Sequence, residues 1–211
     1  MRYLLTPFLL SFLLSAKVLD RIAIVVDNQV ITETQLDEEL RLTAFLNRQP
    51  VDTSADARRA AADRLVEQEL IRREMRLSQY PPPSGDEVDE LFDAQRQQSG
   101  SEALLEKALV EYGLNAGILR RHLAFQLMTL HFIDFRFRPD VQITDADVHR
   151  YYERQVQTWK QSHTGPPPGI EESRASIEKA LSGQRVDYAL SSWLEETRKQ
   201  VDIVYLDKEL E

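Results

Sequence analysis

The chain has 211 residues, 42% of them hydrophobic and none of them cysteine, and a formal net charge of −9 at pH 7. Without cysteine there is no disulfide, no thiol nucleophile and no thiolate metal site. The acidity argues against nucleic acid, which demands a basic stripe, and against adsorption to anionic lipid.

Residues 1–16 read as an export signal. Arg2 supplies a positive start, Leu4 to Leu14 is apolar apart from Thr6, Pro7 and Ser11, and Ser15-Ala16 offers a small-residue cut near Ala16. The apolar run is shorter than the about 20 residues that span a membrane, so stable insertion is not expected. Val18 to Val26 is β-branched and apolar, Asp27-Asn28 offers a tight turn, and Gln29 to Ile31 resumes the strand pattern. Thr34, with Asp37 three residues on, predicts a helix start before the stripe Leu36, Leu40 and Ala44.

A long helix is predicted from Ala55 to Ser78, with Ala62, Val66 and Leu70 spaced four apart and Leu65, Ile71 and Met75 widening the stripe. Pro81-Pro82-Pro83 ends it, and Ser84 with Glu87 forms a capping-box signal for the next. That helix carries Val88, Leu91 and Phe92 on its apolar face. After Ser99-Gly100-Ser101, a short helix through Leu104, Leu105, Ala108 and Leu109 ends at Gly113.

Ile118 to Phe137 is apolar on two sides. At about 100° per residue, Leu119, Leu123, Leu127, Leu130, Ile133 and Phe137 share one side, and Phe125, Met128, Phe132 and Phe135 lie nearly opposite. Such a helix is covered twice, as a central core helix, or covers something itself. Methionine and aromatics make adaptable surfaces that accept many partners. Phe125, Met128, Phe132 and Phe135, extended by Met75 and Phe92, are therefore the candidate residues for binding a polypeptide client.

Arg138-Pro139 closes that helix, and Thr144 with Asp147 caps another that carries Val148, Tyr151, Tyr152 and Trp159. Those three aromatics read as helix–helix packing rather than as a stacking platform. Beyond Thr164-Gly-Pro-Pro-Pro-Gly169, a last helix from about Glu171 to Lys199 leads to a strand-like Val201 to Leu206. The count is six or seven helices and three short strands: a mostly α chain with a small β-sheet.

Signals for catalysis are absent from the sequence. There is no P-loop, no glycine-rich dinucleotide fingerprint and no Gly-x-Ser-x-Gly elbow. The pairs His131/Asp134 and Asp145/His149 supply two ligands each, short of the three or four that a metal needs. Adjacent acids such as Glu38-Glu39 or Glu195-Glu196 do not face each other on a helix, which makes them solvated faces. No cofactor is expected.

The order of the pieces resembles a known family. Asp20-Arg-Ile-Ala-Ile-Val-Val-Asp-Asn-Gln-Val-Ile-Thr-Glu-Thr-Gln-Leu-Asp37 is similar to the opening of the SurA-type periplasmic chaperones. Leu65-Val-Glu-Gln-Glu-Leu-Ile-Arg-Arg-Glu-Met75 resembles their long second helix, and Val110-Glu-Tyr-Gly-Leu-Asn-Ala-Gly-Ile-Leu-Arg-Arg-His-Leu123 their tyrosine-glycine-leucine turn. Ile143-Thr-Asp-Ala-Asp-Val-His-Arg-Tyr-Tyr-Glu153 resembles the segment leading into the isomerase domain, and Ser192 to Leu206 the closing helix and strand.

The resemblance implies a SurA-like chaperone core in which the C-terminal strand pairs with the N-terminal hairpin. It implies one core domain over 17–211, built from 17–163 and 170–211. The linker 164–169 stands where relatives usually carry a parvulin-type prolyl isomerase domain, and six residues are too few for a domain. The implied function is ATP-independent holding of unfolded secreted or outer-membrane proteins in the periplasm, without enzymatic activity. Apart from the resemblance, the linker leaves open a homodimer formed by swapping of the C-terminal helix. Two alternatives stay open: a prolyl isomerase of the SurA/parvulin group, and a scaffold subunit for one folded envelope partner.

Overall fold

The structure is a computed structural model that describes residues 20–162 and 165–210. The expected export signal and its cut near Ala16 lie outside the described residues.

Strand β1 (Ile22–Val26) and strand β2 (Gln29–Thr32) form an antiparallel hairpin in which Val26 faces Gln29. Asp27 takes the positive φ of 56° that a two-residue turn requires. The pairing shifts between Ile22 and Ile24, and the adjacent Ala23 and Ile24 are both buried there, as a bulged strand permits. Strand β3 (Ile203–Tyr205) pairs antiparallel with the other edge of β1, giving the order β2-β1-β3. The N-terminal hairpin and the C-terminal strand thus share one sheet.

Helix α1 (Glu33–Asn47) follows β2 with no linker. Its cap is Thr32, not Thr34: the Thr32 hydroxyl accepts from the Gln35 N–H, and the Gln35 side chain accepts from the Thr32 N–H at 2.8 Å. The strand ends at Thr32, so the first orphan N–H groups of the helix belong two residues earlier than the apolar pattern alone indicates. The Thr34 N–H instead donates to Asp20 Oδ1 at 3.2 Å.

Helix α2 (Ala55–Leu77) starts on the Ser54 cap, and α3 (Gly85–Gln98) on the expected Ser84/Glu87 capping box. Helix α4 (Glu102–Glu111) ends at Gly113, whose φ of 67° only glycine adopts without strain. Helix α5 (Ala116–Arg136) runs into a 3-10 turn at Arg138–Asp140. Helix α6 (Asp145–Ser162) and helix α7 (Ile170–Gln200) complete the body. At 1.5 Å per residue, the 31 residues of α7 make it about 46 Å long. A 3-10 turn at Lys208–Leu210 buries Leu210 beneath the sheet.

Among the described residues, buried apolar side chains form four clusters. One lies under the sheet, where Ala23, Ile24, Val26 and Ile31 meet Leu36, Leu40, Ala62, Val66 and Leu70. A second joins Leu42 of α1, Phe92 of α3, Leu105 and Leu109 of α4, and Leu119 and Leu123 of α5. A third packs Ile71, Met75 and Phe132 with Trp193 and Leu190 of α7. The fourth, Val148, Ile177 and Leu181, ties α6 to the first half of α7. We call α6 and the first half of α7 the arm, since they share this cluster, while the second half of α7 packs on the third cluster.

Candidate functional site

The two apolar sides of α5 do not serve separate clusters throughout: Phe137, expected on the side of Leu119 and Leu123, packs with Phe132, and Leu130 of that side is exposed. Leu119 and Leu123 in its first half face α3 and α4, while Phe125, Met128 and Phe132 face α2 and α7. This arrangement removes half of the expected client surface. Met75, Phe92 and Phe132 are buried core residues, not a cradle. The cause is α7: its Trp193 ring lies 5.1 Å from that of Phe132 and covers the stripe that periodicity leaves open. Helical periodicity names a face but not what is packed on it.

Phe125 and Met128 are half-buried at the margin of the same cluster, and the Arg72 guanidinium lies 4.6 Å over the Phe125 ring. The Arg120 guanidinium sits 4.0 Å over Phe92. Of the six, Phe135 alone is open to solvent, at 67% exposure. Its ring stands edge-on against Tyr80 at 4.6 Å, so the two make one aromatic step between the end of α2 and the end of α5.

A second apolar surface lies on the arm and was not read from the sequence as a site. A cleft of about 490 Å³ opens between α6 and the linker, lined by Tyr151, Tyr152, Val156, Trp159, Pro167 and Pro168. Tyr151 and Tyr152 also pack against the arm's own cluster, as expected of them. The Trp159 indole N–H donates to the carbonyl of Gly165 at 3.1 Å, and the Tyr152 hydroxyl donates to the carbonyl of Pro168 at 2.8 Å. The signal that could have revealed the cleft is the seven-residue interval from Tyr152 to Trp159, two helical turns on one face, followed closely by three prolines.

The polar groups are arranged to hold elements together. Thr144 and Asp147 form the expected cap: the Thr144 N–H and hydroxyl donate to Asp147 at 3.0 and 2.7 Å. Arg150 and Arg185 donate to the same carboxylate at 2.6 and 2.7 Å, and Arg185 also reaches the carbonyl of Gln142. These bonds, the two from Thr144 first, hold the Asp147 carboxyl well below the usual range. The buried Glu39 pairs with Arg64 at 2.8 Å, and the buried Glu69 with Arg76 at 2.7 Å. Burial pushes the His122 imidazole down, partly opposed by Glu39, and pushes the Glu67 carboxyl up. No group of three potential ligands that could hold a metal ion occurs among the described residues. No helix among them is long and apolar enough to cross a membrane.

Asp147 makes the arm acid-sensitive. A carboxyl whose pKa is depressed by folding stabilises the folded form above its unfolded value, about 3.9, and loses that contribution as the pH falls through the folded value. Asp147→Asn should be less stable than the parent chain at pH 7, with the gap closing from about pH 4 downward. Urea melts followed by circular dichroism across that range check it; a gap independent of pH would contradict the assigned role.

Neither a family model nor a curated protein matches this sequence. Among solved structures it is similar to a chain of PEB4 and Cj1289, described as two structurally related SurA-like chaperones of the human pathogen Campylobacter jejuni. The TM-score is 0.56 at 12% identity, over 89% of this chain and 100% of that one. At that identity the likeness is one of fold: this chain has the fold of the SurA-like chaperones.

Proposed function

We propose that this protein is an ATP-independent chaperone that holds unfolded secreted or outer-membrane polypeptides in the periplasm. The observation that carries this reading is the fold, shared over nearly the whole chain with proteins described as SurA-like chaperones, one of them as periplasmic. Two exposed aromatic surfaces give it a means: the Phe135–Tyr80 step and the cleft on the arm. Binding is passive. Apolar side chains cover those of a client, and release follows when the client folds. The net charge of −9 keeps a protein with open aromatic surfaces soluble.

The reading is non-catalytic and takes the chain as one core domain. The linker 164–169 is far too short to be a folded unit, which needs about 50 residues. The purified protein should accordingly leave a protease-coupled prolyl peptide assay at its background rate.

The test is suppression of aggregation of several unrelated unfolded proteins at stoichiometric ratios. The parent chain should suppress it, and Phe135→Ser should lose much of that activity. Because Phe135 is exposed, its stability should change by less than about 0.5 kcal/mol. A parent chain that suppresses nothing, or that acts on one folded partner alone, overturns the reading.

A further inference from the structure

The arm carries an observation that passive holding does not use. The linker's three prolines follow α6, and two side chains of that helix are bonded to the linker backbone, Tyr152 to the carbonyl of Pro168 and Trp159 to that of Gly165 just before the prolines. Each proline ring fixes its own φ near −65°, and each residue before a proline is driven into the extended region. Pro166-Pro167-Pro168 is therefore a short polyproline II helix, continued by Gly169 at φ −65° and ψ 156°. The two accepting carbonyls, of Gly165 and Pro168, are three residues apart, one full turn of such a helix, or about 9 Å. The two donors, Trp159 and Tyr152, are seven residues apart on an α-helix, about 10 Å along its axis. The spacings match, with Val156 filling the floor between the two rings. An aromatic groove whose indole and phenol donate to the carbonyls of a polyproline II strand is a general mode of proline recognition.

From this fit we propose that the Tyr152–Trp159 face of α6 is a docking site for extended, proline-containing segments of client polypeptide, with the linker's own prolines as its resident competitor. The proposal rests on the chaperone reading and names a class of segment that the arm would take. The occupant is identified by the ligand already seated: the linker is a proline segment, and the open cleft is continuous with its contact on the aromatics. At about 490 Å³ the cleft lies within the roughly 300–1,000 Å³ typical of small-ligand pockets.

The linker is held lightly. Pro166 and Pro168 are exposed, and a side chain added at Gly165 or Gly169, on either side of the prolines, would meet nothing within 4 Å. Glycines there let the backbone swing away without steric cost. Yet the linker is tethered at both ends and pre-shaped by its rings, so it competes at high effective concentration. A client segment that supplies a longer polyproline II stretch displaces it, takes both hydrogen bonds and fills the adjoining cleft.

The experiment uses the whole protein and a fluorescein-labelled octaproline peptide, read by anisotropy beside a glycine–serine peptide of equal length. Octaproline should bind and the control should not. In the Pro167→Ala/Pro168→Ala background, where the linker competes less, Trp159→Phe and Tyr152→Phe keep the rings and remove one donor each, and each should weaken octaproline binding about fivefold, the worth of one hydrogen bond. Pro167→Ala/Pro168→Ala should bind octaproline several-fold more tightly, because a less pre-shaped linker competes less. Circular dichroism confirms that each variant is folded, and the two donor variants serve as checks on one another. Octaproline binding no better than the control, or equal binding by the linker variant with and without the two donor substitutions, overturns the site. An unchanged or weakened affinity in the linker variant overturns the competitor. Failure of peptide binding with aggregation suppression intact sinks this inference alone, and loss of suppression with peptide binding intact sinks the chaperone reading alone.

Discussion

Truncation after Asp202 should unfold the protein. The lost segment is short but closes the sheet: Ile203, Val204 and Tyr205 pair with Val26, Val25 and Ile24 along the whole open edge of β1. The Leu206 N–H donates to the carbonyl of Ala23 at 2.9 Å, and Leu210 plugs the cluster under the sheet. Emptying one buried leucine costs about 2–5 kcal/mol, and each backbone bond contributes about 1 kcal/mol. Asp207 adds an ion pair to Arg58 at 3.4 Å, and the Tyr205 hydroxyl accepts from Arg198 at 2.8 Å. Together these exceed about 5 kcal/mol, the lower end of the net stability of a typical domain. Urea melts and size-exclusion chromatography should find an expanded, non-cooperative chain. A truncated chain that melts cooperatively near the parent midpoint would show that the hairpin stands without its third strand, and the closure of the chain ends would lose its structural role.

The strands of that closure were legible in the sequence for a local reason, while their pairing was implied by the resemblance alone. The strand signals at both ends are β-branched and apolar, and Asp27-Asn28 marks the turn without ambiguity. Helix starts were legible wherever a cap residue and its partner stand three apart at the true boundary, as at Ser84/Glu87 and Thr144/Asp147. At α1 the same pattern occurs twice, as Thr32/Gln35 and Thr34/Asp37, and only the end of the preceding strand decides between them. Long-range burial was harder. Nothing local tells Phe132 from Phe135: both are phenylalanines on the same side of one helix. The difference comes from α7, whose Trp193 is 61 positions beyond Phe132 and reaches one ring but leaves the other in solvent. The cleft on the arm was hidden for a related reason. Tyr152 and Trp159 suit helix packing as well as they suit binding, and only the return path of the linker sets Pro167 and Pro168 beside them.

Phe132→Ala should cost about 3–5 kcal/mol, the range for truncating a fully buried phenylalanine. Phe132 has 0% of its surface exposed, and its ring meets those of Tyr80, Phe137 and Trp193 at 6.2, 5.5 and 5.1 Å. All three contacts are edge-on or nearly so, the geometry in which aromatic pairs contribute beyond the area they bury. The ring joins α5 to Met75 of α2 and to the returning half of α7, so its loss loosens three helices at one point. In urea the midpoint should fall with little change in slope, as expected when stability changes without a change in the surface exposed on unfolding. Phe135→Ala, three residues away, should stay within about 0.5 kcal/mol of the parent chain, as surface changes generally do. Aggregation suppression should divide the other way, with Phe132→Ala active below its own melting temperature and Phe135→Ala impaired throughout. If Phe132→Ala instead costs less than about 1 kcal/mol and abolishes holding, the α2–α5–α7 cluster opens in solution, and the stripe of Met75, Phe125, Met128 and Phe132 is a client surface after all.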